Sequence, residues 1–101
     1  MPTNIAATQW EQIITTVPSL VAPGGVMPAN TLHVSIQNRS ETVDVFIGTS
    51  IAVSPASQRL DRNGGDAAFG LLDTDARFTS ALYAVTDGPN ARIACVAHHV
   101  A

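Results

Sequence analysis

From Thr31 onward the chain alternates apolar and polar side chains in short runs, and turn-forming residues cut off each run after a few positions. This pattern constrains the fold more than any other feature. Successive side chains of a strand point to opposite faces, whereas a helix repeats about every 3.6 residues. In Thr31-Leu32-His33-Val34-Ser35-Ile36-Gln37, Leu32, Val34 and Ile36 share one face, and Thr31, His33, Ser35 and Gln37 share the other. The polar turn Asn38-Arg39-Ser40-Glu41 ends that run. Thr42-Val43-Asp44-Val45-Phe46-Ile47 then resumes the alternation through Val43, Val45 and Ile47 and stops at Gly48-Thr49-Ser50, so the two runs read as a hairpin. The runs 80–86 and 91–98 flank Asp87-Gly88-Pro89-Asn90 and read as a second hairpin. Between the pairs lie Ile51-Ala52-Val53, Gln58-Arg59-Leu60 and 66–71, the last two separated by Asp61-Arg62-Asn63-Gly64-Gly65, whose Asn-Gly-Gly tolerates positive φ.

The front of the chain is less regular. Glu11-Gln12-Ile13-Ile14-Thr15-Thr16-Val17 is β-branched enough for a strand, with Pro18 arguing for an edge or a bend. Ile5 and Trp10 fit neither period, so residues 1–11 are expected to form an extended N-terminal arm ahead of a domain spanning 12–101. Ile5 and Trp10 become the candidate interface residues, because an amphipathic Trp is favoured where two proteins meet. The expected fold is all-β: a single antiparallel β-sandwich or jelly-roll-like small barrel of about seven to eight short strands. Leu32, Val34, Ile36, Val43, Val45, Ile47, Leu82 and Ile93 are its expected buried residues.

Composition narrows the function. A chain of 101 residues supports one core, and 46% hydrophobic against 13% charged residues is a globular balance. No run of about 20 apolar residues exists, so a helical membrane span is not expected. Eight acids against five scattered arginines, with no lysine, give a net charge of −3 and no basic face, so nucleic acid is not an expected partner. Cys95 is the one cysteine; it lies in an apolar run and is expected to be a buried structural thiol. Met1-Pro2-Thr3-Asn4-Ile5 has neither a basic n-region nor an apolar h-region, so synthesis in a cytoplasm is expected.

Catalytic signatures are missing from the sequence. It holds no G-x-S-x-G turn, and Gly24-Gly25 and Gly64-Gly65 lack the spacing and the lysine of a P-loop. His98-His99 with Asp73 and Asp75 supply metal-ligand chemistry, but neighbouring strand residues point to opposite faces, so no metal site is expected there. Asp73-Thr74-Asp75 opens like a calcium loop without its Gly or distal Glu. Trp10 and Tyr83 have the chemistry for a sugar-stacking platform, but an interface or core role is favoured for both. The expectation is no enzyme, no catalytic residue, no cofactor and no metal.

Over about residues 12 to 97 the landmarks run in a set order: Ile13-Ile14-Thr15-Thr16-Val17, then Leu32 to Asn38, Val43 to Gly48, the Leu60 to Gly65 turn, Ala81-Leu82-Tyr83-Ala84-Val85, and Ala91 to Val96. That order resembles a loose family of small phage virion proteins: head decoration, head-fibre and minor capsid proteins. The chain departs from the family pattern at Asp61-Arg62-Asn63-Gly64-Gly65, where a Pro-Gly turn is usual, and in a longer 71–79 segment. The resemblance implies a non-enzymatic capsid decoration or minor head protein. Such a protein forms a homo-oligomer, binds the major capsid or other virion proteins, and resides in the virion after synthesis in the host cytoplasm. The alternative is a stand-alone carbohydrate- or receptor-recognising sandwich from a tail or host-attachment apparatus.

Overall fold

Alternation becomes strand wherever one face can be buried, and eight strands form among the described residues. A computed structural model describes residues 4–54, 57–70 and 77–101. In chain order the strands are β1 (Ile5–Ile14), β2 (Ser19–Leu20), β3 (Thr31–Asn38), β4 (Val45–Gly48), β5 (Gln58–Leu60), β6 (Asp66–Gly70), β7 (Tyr83–Thr86) and β8 (Ala91–Val100), with a short 3₁₀ turn at Pro23–Gly25. They make two four-stranded antiparallel sheets, ordered β1-β8-β3-β6 and β2-β7-β4-β5. This interleaving is the strand order of an eight-stranded jelly roll, in which most connections arch from one sheet to the other.

The core lies between the sheets. Val34 and Ile36 of β3 and Ile93, Cys95 and Ala97 of β8 meet Val45 and Ile47 of β4, Leu60 of β5 and Ala84 of β7. All eight residues expected from the alternation to be inside are buried: Leu32, Val34, Ile36, Val43, Val45, Ile47, Leu82 and Ile93. Cys95 is buried as expected.

Two expectations about pairing fail. β3 and β4 do not form a hairpin, and neither do β7 and β8; each pair is split between the sheets. Period-two alternation tells which face a residue takes but not which strand lies beside it, and in this topology sequence neighbours are mostly not space neighbours. Of the adjacent strands only β4 and β5 pair directly. The 39–44 crossing is held by Asn38, which is fully buried. Its Nδ2 donates to the Val43 and Leu60 carbonyls at 2.8 and 3.0 Å, and its Oδ1 accepts from the Ser40 backbone N–H at 2.9 Å.

The arm expected over 1–11 is also corrected. From Ile5 it is β1, paired residue for residue with β8 from Ile5↔Val100 to Ile14↔Ala91. The strand ends at Ile14, and Thr15–Pro18 crosses to the second sheet, where the Thr86 N–H donates to the Thr15 carbonyl at 2.9 Å. Pro18 therefore marks the crossing, and Leu20 belongs to β2 in the other sheet. The longer segment noted at 71–79 lies outside the described residues up to Ala76.

Candidate functional site

The outer faces of the two sheets differ. On the second sheet, Phe46 and Val85 form a cross-strand pair covered by Val53 from the loop after β4, with Tyr83 packed alongside. On the first sheet the outer face is approached at one end by Arg39, which donates to Gln37 Oε1 at 3.1 Å and lines a recess with Gln9, Glu11, Ala94 and Val96. Its middle rows, read across β1-β8-β3-β6, are Gln9-Val96-Ser35-Ala68 and Ala7-His98-His33-Gly70. These rows have few large side chains and no carboxylate or guanidinium. Charge enters one row further on, in Glu11-Ala94-Gln37-Asp66, and then at Arg92, which lies 3.6 Å from Glu11.

β1 is also the free edge of this sheet, and the hydrogen-bond parity shows which of its groups are unpaired. The Ala101 N–H donates to the Asn4 carbonyl at 3.0 Å, which makes Asn4 and Ala101 a hydrogen-bonded pair. In an antiparallel ladder such pairs alternate with non-bonded ones, so Ala6, Thr8, Trp10, Gln12 and Ile14 bond β8. The N–H and C=O groups of Ile5, Ala7, Gln9, Glu11 and Ile13 point the other way. None of the described loops or side chains caps them. The other edges are far shorter: β2 has two residues, β5 three and β6 five. Proteins normally guard a long edge with lysines, prolines or a bulge, yet β1 carries a single charge, Glu11, and no proline.

The two residues proposed from sequence as an interface part company here. Ile5 sits on the outer side of β1 opposite Val100. Trp10 is on the inner side opposite Cys95 and packs against the subunit's own core, with its Nε1 donating to Gln12 Oε1 at 3.4 Å. Gln12 in turn ties β1 to the next segment, donating to the Leu20 carbonyl at 2.7 Å and accepting from the Ala22 N–H at 3.3 Å. Trp10 therefore belongs to the subunit's core side and not to an arm outside it, because its even-numbered position aims it inward. Trp10 and Tyr83 also lie in different sheets and share no sugar-stacking platform. No family model matches the chain, and no curated protein or solved structure matches it either.

The histidines sort as strand geometry dictates. His98 and His99 point to opposite faces; His99 Nε2 lies 3.0 Å from Thr8 Oγ1, while His98 stands beside His33 on the outer face. The His33 and His98 rings are 5.8 Å apart between centroids, and the Nδ1 of each is buried with no hydrogen-bond partner. Partial burial, with His98 adding to it, holds the His33 imidazole below its ordinary pKa and so favours its neutral form. Asp73 and Asp75 lie outside the described residues. At one end of the sandwich a cavity of about 380 Å³ is walled by Leu20, Met27, Pro28, Phe78 and Leu82. Arg77 is the one charged group on its described lining, beside the polar Asn30, Thr31, Thr79 and Ser80.

Proposed function

We propose that this chain is a non-enzymatic structural protein of a virion, a capsid decoration or minor head subunit that assembles with copies of itself and with neighbouring capsid protein through the β1 edge. The observation that carries this reading is the ten-residue free edge, whose five outward residues present unpaired backbone groups beside uncharged side chains at four of the five. Edge pairing of this kind is a common route to protein–protein association.

A second copy fits the edge by symmetry. Pairing β1 with itself about a two-fold axis through Gln9 sets Ile5 against Ile13, Ala7 against Glu11, and Gln9 against Gln9. That register uses all five outward residues and opposes no two like charges. It would join two subunits into one continuous eight-stranded sheet whose outer face could lie on a larger surface. The jelly-roll strand order adds support, being an architecture that capsid proteins use, and the landmark order over residues 12 to 97 points the same way.

The test is a single proline. Gln9→Pro removes an N–H that points away from the subunit, so the variant should keep the far-ultraviolet spectrum and melting behaviour of the wild type. In sedimentation velocity the wild type should associate in a concentration-dependent way, and Gln9→Pro should run as a monomer. A wild type that stays monomeric at the highest soluble concentration overturns self-assembly, and its absence from purified particles by mass spectrometry overturns the virion assignment.

A further inference from the structure

We infer that His33 and His98 form a two-histidine site for a divalent transition cation of borderline softness, of the class of Zn²⁺ or Ni²⁺, on the outer face of the first sheet. His98 and His99 diverge to opposite faces, as adjacent strand residues must, and cannot share an ion. The fold brings to His98 a different partner, 65 positions earlier in the chain and directly across from it on β3.

Four observations support the site. First, the spacing fits: a cation about 2.1 Å from one nitrogen of each ring, and so about 3.2 Å from each ring centre, puts the centroids about 5 to 6 Å apart at bond angles from tetrahedral upward. The observed separation, 5.8 Å, lies within that range. Second, both Nδ1 atoms lack any hydrogen-bond partner among the described residues, whereas His99 is already engaged by Thr8. Buried polar nitrogens without partners are rare and call for an explanation. Third, the other members of the row are small: Ala7 beside His98 and Gly70 beside His33. Fourth, no described carboxylate competes for the imidazoles: Glu11 and Asp66 are four residues along their strands, or about 14 Å away.

Gly70 is fixed in this row for a separate reason. Its φ is 86°, and a Cβ there would run into the Leu32 carbonyl, so glycine is the residue that fits this place in the row.

Two protein ligands make a modest site, with the other positions open to water or to a donor from an assembled neighbour. The site depends on neither the edge-pairing reading nor the virion assignment. Its test is calorimetric titration of untagged protein with ZnCl₂ and NiCl₂ at neutral pH, paired with ¹H–¹³C spectra of the histidine rings. We expect saturable binding that moves the ring signals of His33 and His98 and leaves those of His99 in place. His33→Gln and His98→Gln, each checked for native circular dichroism, should weaken binding at least about tenfold, and His99→Gln should leave it unchanged. An absence of saturable heat, binding that survives both single variants, or shifts confined to His99 would overturn the site.

Discussion

Replacing Asn38 with leucine tests whether this sandwich depends on one polar group inside its core. The side chain is fully buried at the end of β3 and makes three hydrogen bonds to backbone: two given to the Val43 and Leu60 carbonyls and one taken from the Ser40 N–H. Leucine has similar volume, so the substitution isolates the polar contribution. Stranding two buried carbonyls costs about 1 to 3 kcal/mol each, and losing the half-buried Ser40 contact about 0.5 to 1 more. Burying the leucine returns about 1.5 to 3 kcal/mol. The net loss is about 2.5 kcal/mol, against a total stability of about 5 to 15 kcal/mol for a chain of this length. With a urea m-value of about 1 to 2 kcal/mol/M, the unfolding midpoint should fall by about 1.2 to 2.5 M. Asn38→Asp should be worse at neutral pH, because it keeps the acceptor for Ser40 but sets a buried carboxylate against two carbonyl oxygens, and acidification should partly rescue it. A leucine variant within about 0.5 M of the wild type would show that Val43 and Leu60 find other partners and that Asn38 does not hold the crossing.

Trp10→Ala should cost about 2 to 4 kcal/mol in chemical denaturation, because the ring packs on this subunit's core; a loss under about 1 kcal/mol would return Trp10 to the surface. Deleting residues 2–10 should abolish the cooperative transition, since it removes most of a strand paired along its length with β8. Burial pushes the Cys95 thiol up to about 12, so an aromatic disulfide reagent should react with the native protein only as fast as it opens; rapid labelling in native buffer would contradict the packing. The Asp44 carboxyl is held below its ordinary value by the Arg62 guanidinium and backbone N–H, at 3.2 and 2.9 Å from Oδ1. Its contribution is therefore complete above the unfolded value of about 3.9 and is lost as pH falls through the lower folded one. The gap in urea midpoint between the wild type and Asp44→Asn should hold at neutral pH and close in acid, and a gap that does not vary with pH would refute the pairing.

Sequence by itself determined the class of fold and the inward face of most strands. Leu32, Val34, Ile36, Val43, Val45, Ile47, Leu82 and Ile93 are buried because a strand's side-chain period is two, and that rule is local. The same rule showed that His98 and His99 diverge. Tertiary structure decided which strands are neighbours, because hydrogen-bond partners in a jelly roll are set by arches between sheets and leave no periodic mark in the chain. The two hairpins read from turn residues are therefore crossings, and Asn38, which looked like a turn former, is the buried clasp of one of them. Ile5 and Trp10 looked aperiodic because β1 mixes small, polar and aromatic side chains, Ala6, Thr8, Trp10 and Gln12, on its inner side; only pairing with β8 reveals that side as the core face. The free β1 edge and the His33–His98 pair were likewise invisible, since each exists only once strands distant in the chain lie side by side and the ladder's parity fixes which groups stay unpaired.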